Sequence, residues 1–358
     1  MTGKERTMCF LCRKKADRIG LFENFWSDTI PKWTEQGYLK EGENVHDHFK
    51  LDMERQVFIN TIADFRMEPE VLEETEETVL QRDGNGAVLR RHKLHTSTPE
   101  HVDFLVKDRT SWNEHIKPQL TPDTDRIDFE NYCKAKDSCD KAGRFFCISQ
   151  NMVFEAMQTL CGHVSLLEGM ALDPEWVTEM AETYTDMRIN LMEILFEKCG
   201  KPDGIWCPED LGFKQHSFMS PAMYKELLFP AHRRFTDFIH SQGLKLIMHS
   251  CGFIEPLLPY IVESGIDCLQ AIEVKAGMDL LRIYKQYGDH ISLMGGIDVR
   301  VLCSNDRIAI DRELEAKIPI VKQGFGYMLH TDHSIPNTVK YETYRYFIEK
   351  GLSLGSFT

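Results

Sequence analysis

The sequence predicts an α/β fold in which eight short parallel strands alternate with helices and close into a (β/α)8 barrel. Three observations carry that expectation. Short, mostly apolar segments recur at 144–149, 204–207, 245–249, 267–270, 291–294 and 327–330, and two more near 19–24 and 57–61 complete a set of eight. Between them, stretches such as 174–199 and 221–242 place apolar residues three and four apart, as amphipathic helices do. No G-x-G-x-x-G follows an early strand, which disfavours the open nucleotide-binding sheet, the other way to cover both faces of parallel strands.

Along the chain, residues 1–140 are charge-dense and read as the elaborated N-terminal part of one domain spanning 1–358, with an extra hairpin and helices. Residues 141–358 supply the main barrel strands and helices. Cys9-x-x-Cys12 stands alone near a terminus expected to be mobile and is given no function. Phe25-Trp26 and Trp33 serve either packing or an aromatic wall. The acidic run 68–77 is expected to be a solvated edge, and Asp83-Gly84-Asn85-Gly86 between two Val-Leu pairs predicts a hairpin. Met and Phe residues of 152–180 recur at helical spacing and are assigned to the core. Asp173-Pro174 and Ser220-Pro221 each put a capping side chain before a first-turn proline, and Gly243 and Gly265 fall where helices should end.

Composition narrows the function. The chain has 358 residues, 42% of them hydrophobic, enough for a packed core and against disorder. Its formal charge of −14 leaves no broad basic face for nucleic acid. Apolar runs are strand-sized, far short of the roughly 20 residues that span a bilayer, and residues 1–17 are polar, unlike a secretory signal. Eleven scattered cysteines suit free thiols in the cytoplasm.

The polar residues cluster at the ends of the expected strands. Ser149-Gln150-Asn151, Glu209-Asp210, His249-Ser250-Cys251-Gly252, Glu273, Gly295-Gly296-Ile297-Asp298 and His330-Thr331-Asp332-His333 all follow apolar segments. In a barrel those ends meet at one mouth, where the active site lies. His249 and Cys251, two apart, could hold zinc with one more ligand from the last strand end, where His330, Asp332 and His333 are the candidates. Glu209-Asp210 suits either the site or a helix cap. Cys133, Cys139, Cys147, Cys161, Cys199, Cys207, Cys268 and Cys303 are read as packing residues.

The segment 245–252 (KLIMHSCG), the following 256–267 (PLLPYIVESGID) and Gly295-Gly296-Ile297-Asp298 resemble the uroporphyrinogen decarboxylase superfamily, which also contains corrinoid-dependent methyltransferases. The likeness runs from about residue 22 to 351 and is strongest in 200–336. It implies a TIM barrel. Decarboxylases of this kind carry an Arg-Gln-Ala-Gly-Arg-type motif for the tetrapyrrole carboxylates; here the matching segment, 21–26 (LFENFW), has no arginine. In an acidic protein that argues against a polyanionic substrate. The methyltransferase branch is similar in its His-x-Cys zinc element, and His333 stands where its third ligand, a cysteine before Ile-Pro, is usual. The resemblance therefore implies methyl transfer between a small methylated compound, such as a methoxylated aromatic in an O-demethylase system, and a separate corrinoid protein. The expected metal ligands are His249, Cys251 and His333. Glu209, Asp210, Asp332 and His330 are the expected catalytic groups, and Phe25, Trp26, Asn151, Glu273 and Asp298 line the substrate. A homodimer is one allowed assembly. The alternatives are a decarboxylase and a non-catalytic subunit that binds a corrinoid protein.

Overall fold

A computed structural model describes residues 1–93 and 98–357. The barrel consists of β1 (Gly20–Leu21), β2 (Met53–Gln56), β7 (Phe145–Ser149), β8 (Gly204–Pro208), β11 (Lys245–Ser250), β12 (Cys268–Ala271), β13 (Ser292–Gly295) and β14 (Tyr327–Leu329). Its parallel order is β1-β14-β13-β12-β11-β8-β7-β2. The outermost strands, β1 and β2, meet where Asp52 N donates to Leu21 O at 2.8 Å. The Asp52 carboxylate returns the contact by accepting from Leu21 N at 2.7 Å and from Arg18 at 2.9 Å.

Before β7 the chain adds an antiparallel sheet of β3 (Glu70–Glu74), β4 (Thr78–Arg82), β5 (Val88–His92) and β6 (Glu100–Asp103). The expected hairpin joins β4 to β5, with Asp83 Oδ1 accepting from Asn85 N and Ala87 N at 2.9 and 3.0 Å. The acidic run lies along edge strand β3, exposed throughout. A two-stranded ribbon, β9 (Gly212–Phe213) and β10 (His216–Ser217), follows β8.

Helices fill the connections as the pattern required. Asp173 and Ser220 accept from Trp176 N and Met223 N. The helix Pro174–Cys199 is continuous, whereas the 221–242 stretch widens into a π-helical turn at Tyr224–Leu228, next to Pro230. Proline has no N–H for the previous turn, and the wider turn absorbs the missing bond. Phe154, Met157, Met170 and Met180 are buried core residues. Among the described residues, no helix is long and apolar enough to cross a membrane.

Two expectations change. The second strand is Met53–Gln56, ahead of 57–61, because Glu54 and Arg55 interrupt its hydropathy while Phe58 and Ile59 after it are buried in the exit loop. Glu54 is buried there by an ion pair with Arg144 at 3.2 Å. The N-terminus is docked: the helix Gly3–Leu11 closes the base of the barrel. Phe10 and Leu11 join Phe22, Met53, Trp206 and Met294 in the inner core, and Ser292 Oγ donates to Phe10 O at 2.7 Å.

Candidate active site at the barrel mouth

Side chains on barrel strands alternate inward and outward. Met53 on β2, Trp206 on β8 and Ile247 on β11 belong to the inner core, so Arg55 and His249 continue the same faces one step nearer the mouth. The parallel register sets His249 beside Gln270 of β12. Gln270 Oε1 accepts a short hydrogen bond from His249 Nδ1. An imidazole that donates from Nδ1 presents a lone pair at Nε2. That Nε2 lies 3.5 Å from Cys251 Sγ and 3.4 Å from Asp210 Oδ1.

Asp210, His249 and Cys251 offer ligand atoms all within 4.8 Å of one another, the group of this kind found among the described residues. A carboxylate, an imidazole nitrogen and a thiol suit zinc in open coordination. Burial, followed by the charges of Asp210 and Glu273, pushes the Cys251 thiol well above its ordinary range. A metal bound there would displace that proton.

The surrounding loops fix this geometry. Cys251 N donates to Asp210 Oδ1 at 2.8 Å, and Gly252 N donates to the buried Glu273 carboxylate at 2.6 Å. Gly252 has φ +77°, and a Cβ built on it would stand 2.2 Å from the carbonyl carbon of Gly212. The loops after β8 and β11 thus touch backbone to backbone, which holds Asp210 against Cys251.

The other expected site residues fall in three places. His333 lies outside the three-ligand group and stacks on Trp26, with centroids 5.6 Å apart. Burial lowers its pKa, and His249 adds to the effect. Trp26 lines a cavity of about 350 Å³ near the mouth, while Phe25, beside that cavity, packs its ring among Trp33, Phe49 and Tyr344.

Glu209 is fully buried below the donor group. Its oxygens accept from Phe154 N and Glu155 N, both at 2.9 Å, and it pairs with His232 at 2.7 Å. It is therefore the helix cap that its sequence also suited. Asp332 is buried with its two oxygens accepting from Val299 N and Val274 N at 2.8 and 2.9 Å. Burial raises its pKa to about 6.

His330 is enclosed, with Nδ1 donating to Thr331 O and Nε2 3.2 Å from both Asn24 Nδ2 and Glu23 Oε1. Burial lowers its pKa to about 3. Asp298 caps the helix Val299–Cys303 and pairs with Arg300 at 2.7 Å. Asn151 lines a separate cavity of about 750 Å³ between residues 57–62 and 125–128. That cavity holds none of the three donor residues.

Several polar residues at the mouth carried no strand-end signal. Gln270 lies within a strand, and its role follows from the register against His249. Glu155, on the helix after β7, lines a cavity of about 420 Å³ with Asp210. Burial, then the charges of Asp210 and Glu209, raises its pKa to about 8. Glu23, also pushed to about 8 by burial, accepts from Thr331 N at 3.0 Å.

The chain is similar to known proteins in sequence and in fold. A family profile described as uroporphyrinogen decarboxylase (URO-D) matches residues 153–351. Over 154 residues the chain is 29% identical to a methylated-thiol–coenzyme M methyltransferase of Methanosarcina mazei, an alignment covering 41% of this chain and 38% of that protein. Among solved structures, a methyltransferase from Methanosarcina mazei superposes with a TM-score of 0.69 over 98% of each chain, at 14% identity, a likeness of fold. The profile spans more than half of the 358 residues, and by that match the chain belongs to the uroporphyrinogen decarboxylase (URO-D) family.

Proposed function

We propose that the protein is a methyltransferase that passes a methyl group from a small methylated compound to a corrinoid held by a separate protein. The observation that carries this reading is the Asp210–His249–Cys251 donor group at the mouth, with His249 Nε2 turned to its two neighbours by Gln270. The methyltransferase relative adds support.

In this reading Asp210 Oδ1, His249 Nε2 and Cys251 Sγ hold zinc, with Asp210 taking the part expected of His333. The ion would supply Lewis acidity toward the substrate heteroatom. The partner's corrinoid would supply the nucleophile for the methyl group. His333 and Trp26 form a wall of the mouth. If the donor is an ether, the departing oxygen needs a proton, because an alkoxide or phenoxide leaves poorly. Glu155 is suited to give it: burial favours its protonated form, and it lies on the Asp210 side of the mouth.

A decarboxylase would need several cations for its substrate, and segment 21–26 meets one, Arg55 of β2, through Asn24. A non-catalytic subunit would bind the corrinoid protein without turnover. The test uses a cobalt(I)-loaded corrinoid partner and a screen of methoxylated aromatics, methylamines and methylthiols, followed by the cobalt spectrum. About one zinc per chain is expected, with loss of both zinc and transfer in His249→Ala and Cys251→Ser. Full transfer by zinc-free protein would overturn the metal role, and no transfer from any donor would overturn the function.

A further inference from the structure

Arg55 is an inward-facing cation of the upper barrel, and among the described residues no carboxylate pairs with it. Its Nε and one Nη donate to a single acceptor, Asn24 Oδ1, at 3.2 and 3.1 Å. Its guanidinium carbon stands 5.0 Å from the centroid of the buried Trp206 ring. Among the described residues no carboxylate lies within salt-bridge distance of it, whereas Arg6, Arg18 and Arg144 in the same lower-numbered region each pair with Asp or Glu.

The groups around Arg55 do not supply a negative charge at neutral pH. Glu23, next to Asn24, stays protonated up to about pH 8. His330, on the other side of Asn24, is neutral. Asn24 cannot turn over to improve matters: its amide nitrogen faces His330 Nε2, which lacks a proton because Nδ1 donates to Thr331 O. The Asn24 oxygen is thereby fixed toward Arg55. Two of five guanidinium N–H groups are used by Asn24, and Arg55 lines a cavity of about 350 Å³ with Trp26 and His46.

A permanently charged, largely desolvated fork without a counter-ion is costly unless a ligand completes it. Surface arginines without partners are common; one held by an oriented amide on the inner wall of a barrel is a built half-site. The Trp206 ring ties it to the donor group, since His249 stacks on the same indole with centroids 6.3 Å apart.

We propose that Arg55 binds a carboxylate of the methyl donor, so that the substrate class is small methylated acids, anchored at Arg55 with the methyl-bearing heteroatom toward Asp210, His249 and Cys251. The chemistry rests on the methyl-transfer reading, whereas the anion site rests on geometry alone.

Calorimetry on the full chain with para-hydroxybenzoate, against its neutral counterpart para-hydroxybenzyl alcohol, tests the anion site without turnover. The expected result is a clear preference for the acid, weakened roughly 10- to 100-fold in Arg55→Met and partly kept in Arg55→Lys. Thermal melting of the ligand-free proteins separates binding from structure. Arg55→Met should melt no lower than wild type, because an uncompensated charge is removed. Equal binding of acid and alcohol, or an unchanged preference in Arg55→Met, overturns the proposal, as does a large fall in melting temperature with binding of the acid intact. The corresponding methyl ethers then serve as donors with the corrinoid partner. Arg55-dependent binding without transfer from either ether, or from any methylated acid of the donor screen, keeps the anion site and rejects methyl transfer. Transfer from both ethers alike, insensitive to Arg55→Met, rejects the anion site and keeps methyl transfer.

Discussion

Glu23 and His330 face each other across 3.2 Å in the wall of the mouth, and burial drives both to their neutral forms. Both groups are enclosed, and ionising either member has a cost in stability. For Glu23 the folded pKa, about 8, lies above its ordinary 4.5. Between those values the folded state keeps a proton that the unfolded state has lost, so stability falls as pH rises through this window and levels off above pH 8. Glu23→Gln keeps the shape and an acceptor for Thr331 and removes the titration. Relative to wild type, the variant should gain about 1.4 kcal/mol per pH unit between those limits. Urea unfolding at several pH values measures this, and parallel pH profiles for the two proteins would refute the buried acid. His330 has the opposite sign: its neutral form is favoured, and stability is lost as pH falls from about 6.5 toward 3.

At the scale of elements, the site depends on two loops pressed together more closely than side chains allow. Gly252→Ala forces an L-residue to φ +77° and drives its Cβ into the Gly212 backbone. The substitution should cost about 1–3 kcal/mol and separate Asp210 from Cys251. Urea unfolding with zinc titration reads both effects, and a variant with unchanged stability and zinc affinity would remove the role assigned to this contact.

The same scale explains what could be read from sequence. The barrel was legible because its strands from β7 onward are apolar and punctuated by capped helices. The strand ends located His249, Cys251 and Asp210. Strand β2 was missed because Glu54 and Arg55 look solvated until Arg144 and Asn24 are seen beside them. His333 was placed with the metal ligands because its position relative to Ile335-Pro336 suggested it, but its ring turns to Trp26. Glu209 and Asp210 are adjacent in sequence, yet one caps a helix and the other faces Cys251. That division depends on backbone direction, which no spacing rule supplies. Glu155 and Gln270 act through neighbours far away in sequence and left no local signal.

For the whole molecule, the net charge of −14 is spread over a surface of many ion pairs, while the Arg55 guanidinium at the mouth has no carboxylate partner among the described residues. The barrel separates its two ends. At the base, Asp52, Arg18 and the helix Gly3–Leu11 join β1 to β2 and fill the opening, while the chemistry-bearing side chains gather at the other end.

The filled base has a consequence for how the molecule assembles. The helix Gly3–Leu11 precedes its seat in sequence, because that seat is built from strands as far along as β13, where Ser292 meets Phe10 across 282 positions of sequence. Its docking cannot precede the arrival of those strands, and closing so long a loop is slow. This helix should therefore be secured after the strands that form its seat. In refolding followed by pulsed hydrogen exchange, amides of Gly3–Leu11 should gain protection after those of β7, β8 and β11. Simultaneous or earlier protection of that helix would show that it forms and docks independently of the closed ring.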